Sequence, residues 1–360
     1  MTSLHGPVRL GSLDLPNRII MAPLTRNRAD PGGVPSAIMA DYYRLRSSAG
    51  LIISEATAIS PLGMGYPRGP GIWDEPQIAG WRRVTDAVHA AGGRIYCQLQ
   101  HFGSRSHPAY LGGETPVSAS AIAAPGTVPL LRPRAPHPVP RPLRLEEIGP
   151  IAESFGVAAA NADRAGFDGV ELHGAHGYLL EQFLQDSTNH RDDAYGVTLE
   201  GRARLLLESV DAAVAAIGNE RVALNISPRG VPSSPPGSDP VGTFCHVARE
   251  LGRRKLAFLF VRGALDLEDG LAEQLKAAFQ SSLVLNDGMT KSRATEALER
   301  GLADAVAFGR EFIANPDLVQ RLEVGAELNL MDASRLYTPG PEGYLDYPVL
   351  SAPAVGTGIE

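Results

Sequence analysis

The chain has 360 residues, 44% hydrophobic and 20% charged, with a formal net charge of -7. This is the composition of an ordinary folded protein with ample apolar material for a core. The acidic balance and the lack of any Lys/Arg-rich run argue against a nucleic-acid surface. No window approaches the roughly 18 apolar residues needed to span a bilayer.

The first residues lack a cationic segment followed by an apolar run, so no signal peptide is expected. The two cysteines, Cys97 and Cys245, lie far apart. That usage fits a reducing, cytoplasmic protein without a structural disulfide.

In chain order, residues 8–15 read as a small hairpin. Short apolar runs then follow at 18–21, 51–54, 94–97, 169–172, 222–226, 257–261, 283–285 and 305–308. Between and after them the period becomes helical, near 36–49, 78–91, 146–165, 201–217, 241–252, 270–280, 290–300 and 316–324. Gly50, Gly92, Gly166, Gly218 and Gly301 stand where glycine ends a helix.

Eight βα units predict one (β/α)8 TIM barrel over residues 1–350, with the hairpin closing its N-terminal end. A doubly wound sheet is the alternative. The first strand lacks a G-x-G-x-x-G turn, and the glycines of Gly63-Met-Gly65-Tyr-Pro-Arg-Gly69 have the wrong spacing for one. Residues 108–143, rich in Pro, Ala, Ser and Gly, form a long loop after strand three, expected to act as a lid or rim. Residues 351–360 are expected to form a flexible tail.

The segment from Phe167 to Tyr178 carries the most information. A strand ends in His173, His176 and Tyr178, separated by glycines, and helical Leu179–Leu184 follows. Polar donors at the C-terminal end of a barrel strand sit where barrels build active sites. Two histidines at i and i+3 could ligate a metal, but a catalytic zinc site wants a third protein ligand, and none is evident nearby. No metal is expected, and a pocket for a flat ligand fits better. The same mouth collects Ala22-Pro23-Leu24-Thr25, Glu55-Ala56-Thr57, Gln98-Leu99-Gln100-His101, Asn225, Ser227, Asn286-Asp287-Gly288 and Gly309-Arg310. The loops after strands seven and eight are a usual phosphate site in barrels.

These residues together resemble the old yellow enzyme family of FMN-dependent NAD(P)H oxidoreductases. The likeness covers nearly the whole chain: Asn17 to Thr25, Ser54 to Thr57, Pro70 to Trp73, His173 to Tyr178, Asn189 to Gly196, Phe308 to Asp317 and Glu342 to Pro348. It implies FMN as cofactor, NAD(P)H as reductant, and a small-molecule substrate with an activated alkene, in a monomer or homodimer. It further implies that Pro23, Thr25, Ala56 and Gln98 contact the isoalloxazine, and that Gly288, Gly309 and Arg310 cradle the phosphate. His173 and His176 would bind the substrate oxygen and Tyr178 would give the proton. Tyr66, Gln100 and Tyr337 would line the substrate pocket.

Some positions depart from the pattern. Asn225 stands where the family has an arginine facing the flavin pyrimidine, a loss on the order of 1–3 kcal/mol toward the reduced ring. Asp287 replaces a glycine of the phosphate loop. Its charge would repel a phosphate ~5 Å away by a few kcal/mol, unless it turns to solvent. Ser104 replaces an arginine, Val197 a glycine, and Gln100 a bulky aromatic. One reading is a working ene-reductase. A second is a flavin-independent isomerase or cyclase using the same His/His/Tyr pocket, and a third is a barrel that only binds.

Overall fold

The computed structural model describes residues 3–230, 237–263, 267 and 269–350, so the expected tail at 351–360 lies outside them. Eight parallel strands close on themselves: Ile19–Met21, Leu51–Ile53, Ile95–Gln100, Gly169–Gly174, Val222–Ile226, Phe258–Val261, Leu283–Asn286 and Ala305–Phe308. Strand eight pairs back onto strand one through Val306↔Ile19 and Phe308↔Met21, completing the ring.

The period of two decides which side chains face inward. Ile20, Leu51, Ile53, Tyr96, Ala223, Phe258, Phe260, Val284, Ala305 and Ala307 form one buried cluster, the barrel interior. Alternate residues such as Ile19, Ile52, Cys97, Leu172, Leu224 and Leu285 join the larger layer beneath the helices. Each fully buried aromatic or aliphatic side chain stabilises this core by roughly 1.5–3 kcal/mol relative to exposure.

The outer helices begin where short polar side chains cap them. Asp74 and Gln77 form a reciprocal capping box before Glu75–Ala90, and Thr198, Asp239 and Thr290 accept from the first-turn backbone of their helices. Gly92, Gly166, Gly218 and Gly301 do take positive φ after helices. Gly50 does not, because the first helix already ends at Arg44. Gly50 is instead a close-approach residue, where a Cβ would sit 2.2 Å from the Asn17 carbonyl oxygen.

The N-terminal hairpin, Val8–Leu10 against Leu13–Leu15, seals the barrel floor. Leu10 and Leu15 belong to the interior cluster, and Gly11 passes so close to Glu220 and Ala257 that no side chain would fit. Three strands run further than their apolar patterns indicate, the seventh by one residue to Asn286. Strand three continues through Gln100, and strand four through Gly174, so His173 is part of the strand rather than past its end. A five-residue helix, Arg310–Ala314, also escaped the periodicity because it is too short to show one.

Candidate active site

At the C-terminal mouth two chambers meet. One, of about 400 Å³, is lined by Ala22, Pro23, Leu24, Arg262, Asn286, Asp287, Gly288, Met289, Ala307, Gly309, Arg310 and Glu311. The other, of about 290 Å³, is lined by Pro23, Leu24, Thr25, Ala56, Tyr66, Gln98, Gln100, His173, His176, Tyr178, Arg262, Arg310, Ile313, Met331, Leu336 and Tyr337. Pro23, Leu24, Arg262 and Arg310 belong to both, so the chambers adjoin.

The structure therefore gathers Pro23, Thr25, Ala56, Gln98, Gly288, Gly309, Arg310, His173, His176, Tyr178, Tyr66, Gln100 and Tyr337 around one mouth. Asn225, expected among the cofactor contacts, is not there. It is fully buried below the mouth, where its Nδ2 donates to Glu171 Oε1 at 3.3 Å. The expected rim at 108–143 also lies elsewhere. Among the described residues none of that segment lines either chamber. Its short strand Val117–Ser118 pairs with Arg141–Pro142, and Ser118 Oγ donates to Gln182 Oε1. The rim is made instead by Met331, Leu336 and Tyr337.

That C-terminal segment is held by two buried arginines that sequence reading passed over. Arg26 donates to the carbonyls of Leu336 and Gly343. Arg28 donates to those of Arg335, Leu336, Gly340 and Glu342. Tyr344 completes the join by stacking on Tyr42, ring centroids 4.0 Å apart. The alternating Arg26-Asn27-Arg28 after Thr25 was the available signal, since buried arginines need several acceptors.

The histidine loop is fixed from behind by Leu179–Leu184. Glu181 Oε2 accepts from the Gly177 N–H, Gln182 Nε2 donates to the Gly177 carbonyl (2.6 Å), and Ser227 Oγ accepts from the His176 N–H (3.0 Å). His173 and His176 rings are 5.2 Å apart, and Tyr178 lies 4.9 Å from His173 and 6.2 Å from His176. Burial, helped by the Arg262 and Arg105 charges, pushes His173 down to about 3 and His176 well below its usual value. Both imidazoles are thus neutral near pH 7. His173 Nδ1 accepts from the Ala175 N–H at 3.3 Å, which assigns the ring proton to Nε2 as a donor. His176 Nε2 and both amide atoms of Gln100 are buried with no partner in the protein. Such groups are costly unless a ligand satisfies them.

Beneath Gln98 lies Glu171, a buried carboxylate also missed from sequence. It accepts from Gln98 Nε2 at 2.7 Å, and burial pushes it up to about 7. Its clue was the inward phase shared with His173, two residues on. Asp287 neither faces a phosphate unopposed nor turns wholly to solvent. Its Oδ2 lies 3.7 Å from Arg262 Nε, with 43% of its side chain exposed. A pair this open is worth about 1 kcal/mol or less.

A family model described as NADH:flavin oxidoreductase / NADH oxidase matches residues 3–329. The chain belongs to that family. Residues aligned with 12-oxophytodienoate reductase 7 of Oryza sativa subsp. japonica are 40% identical, over 97% of this chain and 95% of that one. A probable flavin mononucleotide-dependent alkene reductase of Leishmania infantum is 41% identical over 96% of both. Among solved structures, the old yellow enzyme homologue from Zymomonas mobilis superposes with TM-score 0.93 at 45% identity, over 97% of this chain and 100% of that one. Morphinone reductase in complex with tetrahydroNAD gives 0.93 and 45%, over 97% and 98%. The protein is thus an oxidoreductase of the old yellow enzyme type, with FMN as cofactor and NAD(P)H as reductant.

The donor set fits that cofactor. Gly288, Gly309 and Arg310 line one chamber, where backbone N–H groups and a guanidinium would suit a phosphate, and Pro23, Thr25, Ala56 and Gln98 line the other, where they would meet the ring. Arg262, whose buried Nε lacks a hydrogen-bond partner, stands where the two meet.

Proposed function

We propose that this enzyme reduces the C=C bond of α,β-unsaturated carbonyl or nitro compounds, with NAD(P)H as the source of hydride. The observation that carries the reading is the triangle of His173, His176 and Tyr178 over the wall formed by Thr25, Ala56 and Gln98. When bound there, FMN supplies a hydride acceptor that becomes a hydride donor.

The rest is the work of the chain. Two neutral imidazoles donate hydrogen bonds to the substrate oxygen, which gains negative charge as the β carbon is reduced. Keeping them uncharged avoids a buried cation in the empty site, and preorganised donors need no rearrangement. Tyr178 then passes its phenolic proton to the α carbon as general acid. Tyr66 and Tyr337, with ring centroids 6.3 Å apart, close the outer side of the pocket. Gln100 offers an unpaired amide to any further polar group on the substrate.

The flavin-independent isomerase reading drew its motive from Asn225 and Asp287. Arg262, beside the one and paired with the other, removes that motive. A cytoplasmic setting belongs to the same proposal, in keeping with the free Cys97 and Cys245. Among the described residues no helix is long and apolar enough to cross a membrane.

The purified protein is expected to be yellow or to take up FMN, and to oxidise NADPH when 2-cyclohexenone is added. A colourless protein that neither binds FMN nor consumes NADPH with the enone overturns the reading.

A further inference from the structure

Strand six puts Phe258 and Phe260 in the barrel interior, so Arg262 points the same way two residues on. Its N–H donates to the Ile226 carbonyl at 2.8 Å, and Asn225 pairs with Phe260 across strands five and six. Arg262 therefore stands about one inward-facing step above Asn225, on the neighbouring strand. It lines both chambers, and 30% of its side chain is accessible.

We propose that Arg262 is the cofactor-binding cation of this enzyme, supplying from strand six the charge that Asn225 lacks on strand five, with Asp287 steadying it. The proposal rests on the FMN reading above. Hydride acceptance brings two electrons and one proton to the ring, so the bound cofactor gains one negative charge. Asn225 cannot offset that charge, because its amide is neutral and turned to Glu171. Arg262 can, since a guanidinium stays charged and its planar donors suit the oxygen and nitrogen edge of a flat heterocycle.

Neighbouring charge supports the assignment. Burial lowers the proton affinity of Arg262, while Asp287, Tyr178 and Glu171 raise it. Without Arg262, the carboxylates of Glu171 and Asp287 would meet a ring of the same sign. Asn225, Arg262 and Asp287 are thus one compensated set: the cation has moved one strand over, and the acid on the phosphate loop accompanies it.

The test uses the FMN-loaded protein and its apoprotein. Dissociation constants come from flavin fluorescence, and the two-electron midpoint potential from a dye-coupled titration. Arg262→Met is expected to weaken binding of reduced FMN on the order of tenfold more than that of oxidised FMN. That differential lowers the potential by about 30 mV. Arg262→Lys, which keeps the charge, is expected to hold the potential closer to wild type. Adding Asn225→Arg to Arg262→Met is expected to raise the potential again. If wild type binds FMN and Arg262→Met shows the same affinity and potential, the assignment fails while the FMN reading stands. If wild type takes up no FMN, both fail.

Discussion

Gln98 and Glu171 share a hydrogen bond of 2.7 Å inside the barrel, directly below the catalytic mouth. Burial raises the Glu171 carboxyl from 4.5 to about 7, despite the donors from Gln98 and Asn225. The folded protein therefore holds this proton more tightly than the unfolded chain. The stability it contributes is complete below about pH 4.5 and is lost as the pH rises through about 7. Glu171→Gln keeps an acceptor without the ionisation. In flavin-free protein it is expected to match wild type near pH 4.5 and to exceed it by roughly 2–3 kcal/mol near pH 8. Urea unfolding at the two pH values checks this, and a difference independent of pH would refute it.

Tyr178→Phe separates the two half-reactions. Reduction of the cofactor by NADPH is expected to change little, because no proton from Tyr178 is needed. Oxidation by 2-cyclohexenone is expected to slow by about 10²–10⁴. Stopped-flow absorbance of the flavin measures each half alone. Equal slowing of both would remove Tyr178 from its role as proton donor.

The histidines carry a pH signature. His173 titrates at about 3, so it stays neutral from about pH 5 upward, and burial shifts His176 in the same direction, well below its usual value. The enone-dependent rate is expected to show no ionisation near 6.5, where a solvated histidine titrates. A break near 6.5 that disappears in His173→Asn would contradict the neutral-donor account. His173→Ala is expected to cost about 10²–10³ in the enone half-reaction, the usual loss for one oxyanion donor.

Val197 adopts φ +57 with 69% of its surface exposed. A β-branched side chain in the left-handed region is strained. Relief of roughly 1–2 kcal/mol on Val197→Gly outweighs the added freedom of the unfolded chain, about 0.5–1 kcal/mol. The variant is expected to be more stable by up to about 1 kcal/mol, with unchanged turnover. Thermal unfolding shows this directly, and a lower midpoint would refute it.

Arg28 ties down the segment that carries Leu336 and Tyr337 through four carbonyls. Arg28→Ala leaves those buried acceptors short of donors, a loss on the order of 2–4 kcal/mol. Because the segment forms the substrate rim, KM for the enone is expected to rise more than kcat falls. Steady-state kinetics with unchanged KM would show that the rim is held otherwise.

The strands, their order and their closure were legible because each is a short apolar run between helical segments with caps and stops. The site was legible wherever a motif lies at a strand end, as with His173, His176, Tyr178, Gly288 and Gly309. Ends of strands were less so: polar Gln98, Gln100 and His173 belong to strands whose apolar pattern had already stopped. Glu171 and Arg262 carry an inward phase in the sequence, but nothing local says that a charged side chain there has a cavity or a donor to meet.

By itself, then, the chain indicated a closed βα barrel through its periodicity and a polar histidine-tyrosine motif at a strand end, while the roles proposed for that motif came from the resemblance to the family. Only the tertiary structure decided what surrounds that motif. Barrel closure brings Arg262 between residues 225 and 287, and two buried arginines bring Tyr337 over the mouth. Those relations depend on contacts between strands and segments far apart in sequence, where neither spacing nor composition records which charge will answer which.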